Sequence, residues 1–126
     1  MNLLLDTCVL IWLATGERSL PARVTAALQR GTALLSSVSA WEIVIKHAKG
    51  TLRLPQPPDR LVPAMRERYA LRALPVDEES ALHVSKLPAL HADPFDRMLV
   101  SQAIVHGLTI VTPDPLVTQY PARTLW

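Results

Sequence analysis

Asn2-Leu3-Leu4-Leu5-Asp6-Thr7 opens the chain as an apolar run that stops on a carboxylate. A short leucine run reads as a buried strand. Thr7 to Ala14 then reads as a helix closed near Gly16. The same grammar recurs further along. Ala33-Leu34-Leu35-Ser36 is a second strand candidate, followed by helix signals from Ser39 to Lys49 with Gly50 as the stop. Leu108-Thr109-Ile110-Val111 is another strand, and it too leads into an acid, Asp114. Strands alternating with helices predict an α/β fold, a three-layer α/β/α sandwich around a mostly parallel sheet of four to five strands. Such sheets bind ligands beyond the carboxyl ends of their strands, where the strand order reverses. Asp6 and Asp114 both fall at such ends.

The remaining segments are less regular. Pro21 suits the start of a helix with Val24, Ala27 and Leu28 on one face and Gly31 as its stop. Leu54 to Pro63 holds four of the eleven prolines and begins as loop, with Leu61 to Leu71 helical beyond it. Ala73-Leu74-Pro75-Val76 is a third strand, and Pro75 puts it at an edge. Asp77 to Leu87 reads as a helix and Pro88 to Ala92 as a loop. Pro94 to His106 is a helix with Asp93 as cap, Pro94 at the first position and Gly107 as terminator. Arg123-Thr124-Leu125-Trp126 adds a short last strand.

At 126 residues the chain has room for one domain with a real core, residues 1–126. Hydrophobic residues make up 49% and charged ones 19%, which excludes a disordered chain. The net charge of +2, without a dense basic block, permits nucleic acid contact but does not demand it. One cysteine, Cys8, excludes an internal disulfide and a cysteine-rich zinc site and suits a reducing compartment. Neither a secretory signal nor an apolar run long enough for a membrane span is visible. The expectation is a soluble cytoplasmic protein without a membrane partner.

Four acids carry the chemistry: Asp6, Glu42, Asp96 and Asp114. Each also has an ordinary reading. Asp6 can cap the helix that follows it. Ser39 and Glu42 spell Ser-x-x-Glu, the capping-box pattern. Asp93 and Asp96 form Asp-Pro-x-Asp at a helix start, where one acid, Asp93 by position, serves as cap and leaves Asp96 free to face a crevice. Asp114, between Pro113 and Pro115, can be a turn residue. Taken together the four stand at matching topological positions, which capping does not explain. Two carboxylates about 4 Å apart repel by roughly 4 kcal/mol at an effective dielectric near 20, so a convergent set calls for a cation. All-oxygen ligation selects magnesium or manganese over zinc. Thr7 and Thr112 are placed to orient waters or ligands. Lys46, Lys49, Arg53 and Arg97 could meet phosphates, although scattered cations usually form a solvated face. His47, His83, His91 and His106 lack a close ligand spacing, Cys8 has no obvious base, and Trp12 and Trp41 read as core more than as base-stacking platforms.

On Leu3-Leu4-Leu5-Asp6-Thr7, Ser37-Val38-Ser39-Ala40-Trp41-Glu42-Ile43 and His91-Ala92-Asp93-Pro94-Phe95-Asp96-Arg97-Met98-Leu99, the chain resembles the PIN-domain ribonucleases. Within them it is similar to the VapC-like toxins of toxin–antitoxin pairs. Thr112-Pro113-Asp114 and the tail Tyr120 to Trp126 extend the likeness to the end. The His-x-Asp-Pro-Phe-Asp-Arg segment is its most specific part. The resemblance places the family's acids on Asp6, Glu42, Asp96 and Asp114, with Asp93 auxiliary. It implies a magnesium- or manganese-dependent endoribonuclease, a homodimer, and a small VapB-like antitoxin that blocks the active-site groove. The chain between Gly50 and Asp77 matches no fixed motif of the family.

Other functional classes fit the residues less well. A phosphoacceptor signalling module wants paired acids after the first strand, an acceptor Asp after the third and a Lys after the fifth, whereas here Asp6 is followed by Thr7 and Cys8 and no Lys follows Val111. A phosphatase with an aspartyl nucleophile wants Asp-x-Asp, where this chain has Asp6-Thr7-Cys8. A catalytically silent PIN scaffold that only binds RNA or protein is the remaining alternative.

Overall fold

A computed structural model describes all residues from Met1 to Trp126. Five parallel strands form one sheet: β1 (Asn2–Leu5), β2 (Thr32–Ser36), β3 (Arg72–Leu74), β4 (Thr109–Val111) and β5 (Thr124–Leu125), in the order β3-β2-β1-β4-β5. The chain builds outward from β1 through β2 to β3, then returns to the opposite side of β1 as β4. The order therefore reverses between β1 and β4, whose registers pair Leu5 with Val111. That is the expected crevice, and Asp6 stands at its mouth with its amide bonded to the Val111 carbonyl at 3.1 Å.

Alternation of side chains along β1 splits the core into two layers. Leu3 and Leu5 join Val9, Leu10, Val24, Leu35 and Ile43 on one face, under α1 (Thr7–Thr15), α2 (Ala22–Arg30) and α4 (Pro58–Tyr69). Leu4 joins Ile110, Leu99, Val100 and Val117 on the other, under α6 (Pro94–His106) and α7 (Pro115–Thr118), with α5 (Glu78–His83) packed against α6. α3 (Ser37–Ala48) serves both layers, with Ile43 in the first and Val38 in the second. This is the three-layer sandwich expected, with every strand parallel.

Local boundaries depart from expectation in several places. α4 begins at Pro58 and runs through Pro63, so the proline-rich stretch is loop only up to Pro57. Pro58 fits the first helical position, where its missing N–H is no loss, and Leu61, Val62 and Met65 anchor the helix on the core. α3 starts at Ser37 because Ser36 is its cap, accepting a hydrogen bond from the Val38 amide at 3.1 Å. Asp77 to Leu87 is a short α5 followed by a 3₁₀ turn, Val84–Lys86. β3 lies at the sheet edge as expected, but it covers Arg72–Leu74 and ends before Pro75 instead of running to Val76. No helix is long and apolar enough to cross a membrane.

Candidate metal centre

Asp6, Glu42, Asp93, Asp96 and Asp114 line one cleft of about 190 Å³ together with Thr7, Cys8 and Lys46. The four acids singled out from sequence thus converge, although they come from four separate segments.

Asp6 occupies the cap position of α1, yet its side chain makes no capping bond. Its Oδ2 instead accepts hydrogen bonds from the Thr112 hydroxyl at 2.7 Å and the Cys8 thiol at 3.5 Å. Thr112 in turn accepts from the Asp114 amide at 3.0 Å, so one hydroxyl ties the acid after β1 to the acid after β4. Asp114 does act locally, its Oδ1 accepting from the Leu116 amide at 2.9 Å at the start of α7. The Thr7 hydroxyl does not reach a carboxylate. Its hydroxyl donates to Ser39 at 2.8 Å and fastens α1 to α3.

The capping box at Ser39 and Glu42 is absent, because capping by Ser36 places Ser39 inside the first turn of α3. Glu42 is free for the cleft and is only 3% exposed. Its Oε2 accepts a hydrogen bond from Lys46 Nζ, one turn on along α3. Its Oε1 is buried without a hydrogen-bond partner. A buried, unpartnered carboxylate oxygen is costly, and it is the clearest sign that something outside the chain completes this cleft.

Asp93 is the cap of α6, accepting from the Phe95 amide at 2.9 Å and the Asp96 amide at 3.3 Å. Asp96 is left free, as expected, and meets His91 Nε2 at 3.1 Å through Oδ2. His91 Nδ1 lies 2.7 Å from the Tyr120 hydroxyl, which accepts from Arg97 at 3.0 Å. Arg97 cannot accept, so it only donates to the hydroxyl and also to the Pro88 and Val84 carbonyls. Arg97 is not among the residues lining the cleft, and its guanidinium is engaged by the Tyr120 hydroxyl and two carbonyls, whereas His91 holds a site acid. Sequence reasoning gave His91, Tyr120 and Lys46 no role at the acids; the hints were His91 at the head of the His-x-Asp-Pro-Phe-Asp-Arg segment and Glu42 and Lys46 standing four apart on one helix face.

Trp41, read as core, is 60% exposed and meets Phe95 edge-to-face at 5.3 Å. Trp12 does pack on the core, against Trp126 at 5.6 Å and beneath Arg18.

Burial dominates the electrostatics. It raises Asp6 above the usual carboxylate value; the hydrogen bonds from Thr112 and Cys8 oppose it, and the charge of Asp114 adds to it. Burial pushes Asp96 up to about 6; the His91 hydrogen bond opposes, and the charges of Asp6, Asp93 and Glu42 add. The Cys8 thiol is raised by burial and by Asp6, which makes it a poor nucleophile.

No three His, Cys, Asp or Glu side chains stand at the spacing of a ready-made metal cage. The carboxylate oxygens rest on protein partners instead: Thr112, Lys46, His91 and main-chain amides. The donor chemistry nonetheless fits a hard cation, since the cleft offers carboxylates and the orphaned Glu42 oxygen.

A model of the PIN domain matches residues 3–121. Solved structures share the fold along nearly the whole chain. The VapBC2 complex of Rickettsia felis, bound to a DNA fragment from its promoter, aligns with a TM-score of 0.76 at 15% identity, covering 100% of this chain and 99% of that one. VapBC-1 of nontypeable Haemophilus influenzae aligns at 0.68 and 15%, covering 99% and 97%. A toxin–antitoxin complex from Klebsiella pneumoniae aligns at 0.55 and 16%, covering 88% and 85%. No curated protein matches in sequence.

Proposed function

This chain belongs to the PIN-domain family, and from that premise we propose that it is a metal-dependent endoribonuclease, the toxin of a VapBC-type toxin–antitoxin pair. The observation that carries the reading is the gathering of Asp6, Glu42, Asp96 and Asp114 in one cleft at the strand-order reversal, with a buried Glu42 oxygen left unpartnered.

Asp6 and Asp96 would hold the principal ion, magnesium or manganese, and Glu42 and Asp114 would complete the pocket directly or through waters. A bound ion of this kind orients a phosphodiester, acidifies water and stabilises a leaving oxygen. The chain's own contribution is to fix the carboxylates before the ion arrives. Thr112 anchors the Asp6 rotamer, and the Arg97–Tyr120–His91 series anchors that of Asp96. Asp93 spends its oxygen on the helix cap and sets where Asp96 stands.

The fold neighbours are complexes of paired proteins, and the partner proposed for this chain is likewise a VapB-like antitoxin. A groove of about 570 Å³ bounded by Leu13, Leu20, Leu28 and Leu71 supports an apolar peptide segment as that partner's contact. Trp41 and Val44, exposed three residues apart on α3, support a homodimer. The free thiol suits the cytoplasm.

The test is cleavage of total RNA by purified protein with magnesium or manganese, followed by sequencing of the new ends. Wild-type protein should cut, excess chelator should stop it, and Asp6→Asn should remain inactive at any ion concentration. Undiminished cutting in chelator would remove the metal from the reaction. A protein that binds RNA without cutting it would be the silent PIN scaffold.

A further inference from the structure

Lys46 is the one basic residue among those lining the acidic cleft, where it faces Asp6, Glu42, Asp93, Asp96 and Asp114. A Glu–Lys pair four residues apart is ordinarily a solvated decoration of a helix. Two observations set Glu42 and Lys46 apart from that. The Glu42 side chain is 4% exposed and the Lys46 side chain 45%, so the acid is fixed and the ammonium is the member able to leave. The pair also satisfies half of the carboxylate: Oε2 has the ammonium, and Oε1 has nothing.

An ammonium offers hydrogens and a single charge, and it has no lone pair to give. A divalent ion on the Glu42 carboxylate competes with Lys46 for the same negative charge, and Lys46 cannot join the coordination. In the ion-free protein the reverse holds: the ammonium faces the carboxylates of the cleft and donates to Glu42 Oε2.

We propose that Lys46 is the resident counter-ion of the cleft and a positioning residue for Glu42, holding that carboxylate in the ion-free protein and giving it up when a divalent cation binds. The proposal rests on the metal-dependent reading for the kind of ion involved, but its readout is ion binding and requires no RNA. Lys46 therefore lowers the affinity for the ion while stabilising the ion-free fold. The cleft is then held at intermediate affinity, loaded when the ion is abundant and folded when it is scarce.

The experiment is calorimetric titration of Mn2+ into wild type, Lys46→Gln, Lys46→Arg, Glu42→Gln and the Glu42→Gln/Lys46→Gln double variant, with thermal denaturation of each. Lys46→Gln should bind Mn2+ roughly two- to five-fold more tightly, the scale of an ion pair with one exposed partner. Lys46→Arg, which keeps the charge, should stay near the wild type. Without ion, Lys46→Gln should melt lower than wild type, and Mn2+ should raise its Tm by more. In the Glu42→Gln background the tightening should largely vanish. Unchanged or weaker Mn2+ binding by Lys46→Gln overturns the proposal. So does equal tightening with and without Glu42, which would reduce Lys46 to a general field effect.

Should Lys46→Gln not fold, the wild type alone decides. The Lys46 Cε and Nζ NMR resonances should shift on adding Mg2+ as the pair opens, and unmoved resonances at saturation overturn it. Tightened Mn2+ binding in a protein that never cuts RNA upholds Lys46 and removes the nuclease reading. RNA cutting with no change in ion binding at Lys46→Gln does the opposite.

Discussion

The molecule contains two aspartate–histidine pairs of similar geometry and opposite character. Asp96 meets His91 at 3.1 Å, and Asp77 meets His106 at 2.8 Å. In the first pair the side chains are 11–12% exposed, in the second about a third. Burial and the nearby charges of Asp6, Asp93 and Glu42 lift Asp96 to about 6 despite its histidine. Asp77 is held below the usual range by the His106 hydrogen bond and by the Ser80 hydroxyl and amide, which it receives as cap of α5. A hydrogen-bond partner alone therefore does not identify a functional acid. What distinguishes Asp96 is a desolvated setting shared with like charges, and a site of that kind is where a cation becomes welcome.

Substitution of the acids should give the widest contrast. Asp96→Asn should reduce RNA cleavage by more than about a hundred-fold, beyond what loss of an outer partner of a ligand typically costs. Asp77→Asn should leave cleavage unchanged; Asp77→Ala should lower stability through the lost cap, measured by denaturant titration. Equal activity losses at both positions would erase the distinction. The histidines should differ next. His91→Gln, by loosening Asp96, should lower activity or ion affinity by roughly ten- to a hundred-fold, while His106→Gln should change neither.

The pH dependence of the ion-free protein should separate the pairs most finely. Asp96 in the folded state titrates near 6 against a usual 3.8, so between those values the folded protein keeps a proton that the unfolded chain has lost. Its contribution to stability accordingly rises as pH falls from 7 through 6 towards 4. Asp77, with its folded-state value depressed, adds stability that is present above 3.8 and is lost as pH drops below it. In ion-free buffer, Asp96→Asn should melt above wild type at pH 7 and lose that advantage by pH 4. Asp77→Asn should melt below wild type at pH 7 and converge with it at low pH. Parallel melting curves for the two variants would refute the assigned environments.

The parts of this contrast visible from sequence were those written in a few neighbouring residues. Asp93-Pro94 and Gly107 bracket α6 as expected, and Gly107 takes the left-handed conformation (φ 67°) that favours glycine at such a stop. The same helix grammar separated Asp93, spent on capping, from Asp96, left free. Where two local signals competed, the outcome was not legible. Ser36 and Ser39 both suit a cap of α3, and β2 ending at Ser36 decided between them. Likewise the proline-rich segment could not announce that α4 starts at Pro58, because the burial of Leu61, Val62 and Met65 on the sheet is a tertiary matter.

Sequence alone determined that strands would alternate with helices and that Asp6 and Asp114 would stand at strand ends, since apolar runs, caps and stops act within a turn or two of the chain. Only the folded molecule decided which oxygens are satisfied. Thr112 reaches Asp6 across 106 positions, Tyr120 reaches His91 across 29, and the unpartnered Glu42 oxygen exists because surrounding elements bury it. Desolvation and charge crowding arise from everything packed around a group, and no stretch of neighbouring residues records them.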